Sequence, residues 1–470
     1  MREFIKSFFL LGIATTIEKI IAFLLLPIYT RYFDISEYGV IDLMIVTISM
    51  VSIFAELQLE TAIQRYYYDY EGAEKRSMIS TNFIVITSLS LLLSFVLFYF
   101  SKEVSLLVFE KADYSELVGL AALQLPFINF TMLAFIILRY EKRNKSFLIL
   151  MLIKVGITLA FTLLFVVWFK LGIYGVFYAQ LIGLISSTVL LFLSTKEFLV
   201  FEMSRFFLKK SFVYALPQFP ARIGSALLSN ANRFFMVSYL TIASVGLYSL
   251  SLKLASVIQL FYAAFVMAWA PFMFEQLKKD NHKEVFVKIL VLTACPVFLL
   301  VSIISLFSKE IVVLVASAEF FEAYHYVGGL SLYFSLFIFK EIVDIGPKHT
   351  EKTKYLSLTF LLSLVVNISS LYLFIIWFGL KGVIYSMILT NIFLLLISWV
   401  VSNRLYYIPH NIFLFIVVSV PAFLLALGSM FILPSLFVRI LVLVGVCLFY
   451  GLIFLKYLKF FLKQTVAIKA

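Results

Sequence analysis

The sequence predicts an all-α integral membrane protein of about 14 transmembrane helices, built as two pseudo-symmetric six-helix bundles plus two C-terminal helices. Three observations predict it. The 470 residues are 63% hydrophobic, with 53 Phe and only 14% charged residues, whereas soluble chains carry about a quarter charged residues. The apolar runs are mostly 18 to 24 residues long, and at about 1.5 Å rise per residue such a run crosses a hydrocarbon core of roughly 30 Å. Landmarks also recur at one fixed offset of 207 residues, the mark of a duplicated bundle.

The first run, 8–30, follows Arg2 and Lys6 as a signal peptide would, yet it is too long and lacks a small-residue cleavage site. It is expected to remain as a span. It carries Glu18-Lys19 near its middle and Pro27 near its end, and closes on the step from Tyr32 to Gly39. Further spans are expected at 40–60, 79–100, 117–138, 147–168, 172–193, 212–232, 245–270, 286–307, 326–345, 355–377, 381–402, 411–431 and 436–455. Lys and Arg orient them. With the N-terminus inside, inner segments hold 26 basic residues, outer ones 8, and Lys19, Lys154, Arg222 and Lys253 lie within spans. Both termini are therefore expected to be cytoplasmic. The net charge of +12 is then mostly a topology signal, with attraction to anionic membrane lipids as a by-product. Nucleic acid is not implied. Cys295 and Cys447 fall in apolar runs far apart, so neither a disulfide framework nor a metal site is indicated.

The repeat extends through both halves. Tyr239 to Gly246 repeats the step from Tyr32 to Gly39, and Gly172-x-x-Gly175-Val176-x-Tyr178 recurs as Gly379-x-x-Gly382-Val383-x-Tyr385. The basic connection 139–147 falls opposite 346–354 at the same offset. This divides the chain into an N-terminal six-helix bundle, 1–203, a C-terminal one, 204–403, and an appendage, 404–470, of two extra helices and a short basic cytoplasmic tail. An even number of spans per half leaves both in one orientation, related by an axis along the membrane normal.

At these landmarks the chain resembles a family. Leu26-Pro27-Ile28-Tyr29-Thr30-Arg31-Tyr32 with Ser36-Glu37-Tyr38-Gly39 is similar to the first-span ending of Wzx-type polysaccharide flippases. That family is a branch of the superfamily that also holds multidrug exporters and lipid II flippases. Leu216-Pro217-Gln218-Phe219-Pro220, Val245-Gly246-Leu247-Tyr248-Ser249 and Ala268-Trp269-Ala270-Pro271 resemble the family's seventh and eighth spans. Asn232-Arg233-Phe234 departs from it, since many relatives carry an acidic residue before the Arg. The resemblance implies a flippase in the bacterial inner (cytoplasmic) membrane. Its substrate would be an oligosaccharide on a polyprenyl diphosphate, moved to the outer leaflet for surface polysaccharide biosynthesis, with glycosyltransferases and a polysaccharide polymerase as partners.

Charges that cannot reach water are the candidate site. Lys19 lies 13 residues from Lys6 and 12 from Arg31, about 18 Å from either helix end and beyond snorkelling. Arg222, between Lys210 and Arg233, is equally central, and the repeat sets position 226 on Lys19, one turn away. A diphosphate needs such cations, because its oxygens lose water only where donors and positive charge replace it. Arg222 supplies a planar fork and Lys19 a point charge. Lys253 joins them as a substrate-binding candidate and competes with a snorkelling account, which also suits Lys154. Glu18, Asp42 and Glu56 are candidates for gating or for a coupling ion, proton or sodium; Glu18 paired with Lys19 is the plainer alternative. Glu60 reads as a solvated helix end. Gln218, Asn230 and Asn232 are candidates for a glycan path, although amides also join helices. Pro217 and Pro220 read as helix-shaping residues.

Two other functions compete. A multidrug exporter of the same fold expects an acidic cleft, and the central residues here are mainly basic. A membrane polymerase or ligase expects a large outer loop with catalytic residues, and the longest outer connections are only about 16 to 18 residues. His282, His325, His349 and His410 have no nucleophile or metal spacing, so no enzyme and no cofactor are expected.

Overall fold

In lipid a backbone can satisfy its own N–H and C=O groups only as helix or closed barrel, and the computed structural model, which describes residues 23–352 and 354–469, is helical with no strand among them. Ten described helices are long and apolar enough to cross a membrane. The chain forms two compact units, Met1–Gly246 and Leu247–Ala470. This spatial boundary differs from the sequence repeat boundary at 203/204, because the whole seventh span and the step Tyr239 to Gly246 lie in the first unit.

The landmark after the first span is a helix start. Asp34 caps Ile35–Glu56: its Oδ1 accepts from the Glu37 N–H at 2.8 Å, and the Glu37 carboxylate accepts from the Asp34 N–H at 3.1 Å. At offset 207, Thr241 Oγ1 accepts from the Ser244 N–H at 3.2 Å. The same cap is rebuilt with different residues. The glycine landmark has a matching reason. Gly172 and Gly379 both adopt positive φ, 60° and 57°, which a side chain resists.

Among the described residues of the first unit the second, fourth, fifth and seventh spans are broken rather than continuous, the fourth into Ser115–Ala122 and Leu125–Tyr140. The second is Ile35–Glu56 plus the short Leu59–Tyr66, separated by Leu57 and Gln58 in the left-handed region, φ 46° and 60°. The fifth ends in a π-helical turn, Leu163–Trp168. The seventh, expected at 212–232, runs as Arg205–Ala215, a 3-10 turn Leu216–Gln218, and Phe219–Tyr239. Pro217 and Pro220 account for that break, since neither donates to the helical ladder. Leu59, Ile63, Ile79, Phe83, Ile137 and Phe207 form a buried cluster that fastens Arg205–Ala215 to its neighbours.

The eighth span, expected at 245–270, is Ile242–Ala255 and Val257–Gln276, turning at Ser256, and it enters the second unit at Leu247. His282–Leu306 and Tyr324–Val343 follow within a few residues of expectation. Lys354–Leu405 is the eleventh and twelfth spans joined across Gly379, and Ile412–Gly428 and Leu436–Lys469 complete the unit.

Candidate functional site

Phe219–Tyr239 is the most polar of the long helices of the first unit, and its spacing sorts that polarity onto one stripe: Gln218, Arg222, Ser225, Ser229 and Arg233 recur every three or four residues. Arg222, Ser225 and Ser229 are exposed. The ring of Phe219 meets Phe54 edge-on at 5.7 Å, setting this helix against Ile35–Glu56. That contact brings Arg222 within electrostatic reach of Glu56 and Glu60. Of the three cations chosen from sequence, Arg222 is therefore seen on an open polar face. Lys253 lies half-buried in Ile242–Ala255, in the second unit. Lys19 and Glu18 lie outside the described residues.

The stripe ends on a buried ion pair. Arg233 Nε donates to Asp42 Oδ2 at 2.6 Å, with both side chains at most 10% exposed. A guanidinium N–H also donates to Asn230 Oδ1 at 3.3 Å. Arg233, assigned from sequence to an outer connection, is inside the helix and desolvated, with Asn230 as one of its acceptors. Asn232 is 1% exposed, and neither of its side-chain polar atoms has a hydrogen-bond partner among the described residues.

Glu56 heads a second polar constellation. Ser52 Oγ lies 2.8 Å from Glu56 Oε1 and 2.6 Å from Asn129 Oδ1, and the Asn129 amide donates to Ser90 Oγ at 2.8 Å. One hydroxyl proton serves only one of the two Ser52 contacts at a time, unless Glu56 is protonated and donates to Ser52 Oγ. Glu60 is not the solvated end that the sequence suggested. It is 9% exposed and its Oε2 is without a partner among the described residues, because the break at Leu57 and Gln58 turns the following helix back into the protein.

A charged cluster in the second unit was missed by the sequence reading, which counted Lys340 with the inner connections. Lys340 lies inside Tyr324–Val343 and is buried, with Nζ 2.6 Å from Asp344 and 3.4 Å from Glu341. Lys348 reaches Glu341 at 2.7 Å, and Trp269 Nε1 donates to the Glu341 carbonyl at 3.1 Å. The signal was present as Lys340, Glu341 and Asp344 at the end of one apolar run. Their offset counterparts in the first half include the apolar Leu133 and Ile137, so this cluster belongs to one half alone.

The family model described as polysaccharide biosynthesis protein matches residues 4–277. No characterised protein matches the chain significantly in sequence. Among solved structures, the lipid II flippase MurJ in an inward closed conformation is similar with a TM-score of 0.71 at 15% identity, over 95% of this chain and 98% of that one. An inward-facing multidrug resistance MATE family transporter of the MOP superfamily gives 0.64 at 16% identity, over 82% and 94%. A MOP superfamily transporter from Pyrococcus furiosus, described by the reverse polarity of its binding pocket, gives 0.56 at 15%, over 87% and 96%. Likeness at these identities establishes the fold.

Proposed function

The chain belongs to the polysaccharide biosynthesis protein family, and from that premise we propose that it is a flippase for a polyprenyl-diphosphate-linked oligosaccharide. It moves this lipid from the inner to the outer leaflet of the bacterial cytoplasmic membrane by alternating access, with both termini cytoplasmic. One observation carries the substrate class. Between Glu202 and Glu275 the chain has no acidic residue, yet it holds Arg205, Lys209, Lys210, Arg222, Arg233 and Lys253, and Arg222 stands exposed on the polar stripe of the seventh span. Intramembrane cations of this kind mark substrate paths, and a diphosphate is the anion that profits from them.

In this reading Arg222 grips the diphosphate, with Lys19 and Lys253 adding charge and Gln218 offering an amide to the glycan. The halves 1–203 and 204–403 rock against each other. Glu56, with Ser52 and Asn129, is where a coupling proton or sodium ion would bind, and Asp42 and Glu18 belong to gating. Glycosyltransferases would supply the substrate and a polymerase would consume it.

Reconstitution in vesicles with a lipid-linked oligosaccharide tests the reading. Glycan should become accessible at the outer leaflet only when the protein is present. Arg222→Ala should slow this about tenfold or more, since a hydrogen bond to a charged group is worth roughly 1.5–3 kcal/mol. Arg222→Lys, which keeps the charge and loses the fork, should fall between. Export of small cations with no translocation of any such lipid would overturn the proposal in favour of a multidrug exporter.

A further inference from the structure

The face of Arg205–Ala215 opposite its packed side is hollow. Phe207, Ser211 and Ala215 are buried on one side of this helix, while Arg205, Lys209, Phe212, Val213, Leu216 and Pro217 line an open groove of about 460 Å³ on the other. The 3-10 turn Leu216–Gln218 follows the helix, and its Leu216 and Pro217 line the same groove. The near end carries Arg205 and Lys209, one helical turn apart, with no ion pair to either among the described residues. The Lys and Arg distribution puts this end at the cytoplasmic headgroup level. Below it the lining is almost wholly apolar.

We propose that this groove is an inner-leaflet docking site for the prenyl diphosphate end of the substrate. Arg205 and Lys209 hold the diphosphate at the membrane surface, and the groove along Phe212, Val213 and Leu216 takes the first isoprene units. Three features favour this lipid over a bulk phospholipid. Two adjacent cations match a doubly phosphorylated head, and the start of a helix adds its own attraction for an anion. Beyond Lys210, which donates to the Tyr70 hydroxyl, the next cation along the same span is Arg222, five residues after Pro217, with no acidic residue between Glu202 and it. On this element a diphosphate held at Lys209 therefore passes no acidic residue before Arg222, where Glu56 and Glu60 of the second span come within electrostatic reach. The proposal rests on the substrate class given above, and it adds the place where that substrate first binds.

The test uses full-length protein in phosphatidylethanolamine vesicles with a photoactivatable polyprenyl diphosphate that carries no glycan. Labelling is expected within residues 204–218, and Arg205→Gln/Lys209→Gln should weaken it about tenfold. Val213→Trp, which fills the groove and leaves the charges, should weaken it too, while Arg222→Ala should leave it in place. Equal competition by phosphatidylglycerol, or labelling unchanged in both groove variants, would overturn the site. Because binding is read without translocation, the two ideas fail separately. Labelled groove with no glycan transport leaves the docking site standing, and transport with no groove labelling removes the site alone.

Discussion

Asp42 and Arg233 are each held away from bulk water and meet as an ion pair at 2.6 Å. Removing one partner of such a pair leaves a buried charge and costs about 3–5 kcal/mol. Asp42→Asn and Arg233→Gln are each expected to lower the melting temperature in detergent, and the double variant to recover part of the loss. Losses that simply add in the double variant would sink this account. Glu310 offers a pH-dependent counterpart outside the spans. Hydrogen bonds from Arg439 at 2.7 and 2.6 Å hold its carboxyl below the usual carboxylate range, with burial opposing. A depressed folded pKa contributes stability above the unfolded value of about 4.3 that is lost as pH falls through the folded one. Melting temperature should thus drop on the acid side below about pH 4.3, and Glu310→Gln should flatten that limb slightly, since Glu310 is partly solvated. An identical acid limb in both proteins would remove the pair from the explanation.

At the scale of elements, the repeat brings its own landmarks into contact. A Cβ on Gly39 would sit 2.2 Å from the Ile242 carbonyl oxygen, and a Cβ on Gly246 would sit 2.0 Å from the Ile35 carbonyl oxygen. Ile35 and Ile242 are themselves 207 residues apart, as are the two glycines. Within the first unit these two helix starts therefore lie against each other through reciprocal glycine contacts, and small residues let the backbones approach. Gly39→Ala and Gly246→Ala are expected to destabilise by about 1–3 kcal/mol each through overpacking. Gly224→Ala, with nothing within 4 Å of its Cβ, should be neutral or stabilising by up to about 1 kcal/mol. Thermal melts of the three variants decide it, and similar shifts for Gly39 and Gly224 would refute the close approach as the cause.

For the whole molecule the prediction concerns orientation. In a background of Cys295→Ala and Cys447→Ser, Lys279→Cys should react with an impermeant thiol reagent only from the cytoplasmic side and Lys309→Cys only from outside. The opposite pattern would invert every assignment of inner and outer mouth.

Membrane class and the helical architecture could be read from the chain because each rests on local physics. An apolar run must satisfy its own hydrogen bonds in lipid, and Asp34, Thr241, Gly172 and Gly379 act on the residues beside them. The place of Arg222 inside the helix Phe219–Tyr239 was also legible, since its distance from the ends of its span follows from helical rise alone. Other features were decided only by folding. Asp42 meets Arg233 from 191 positions away, Glu60 becomes buried because two left-handed residues turn its helix, and Lys340 leaves the connection for the interior. No spacing in the sequence encodes those partners, because a buried charge finds its counter-charge across packed helices rather than along one.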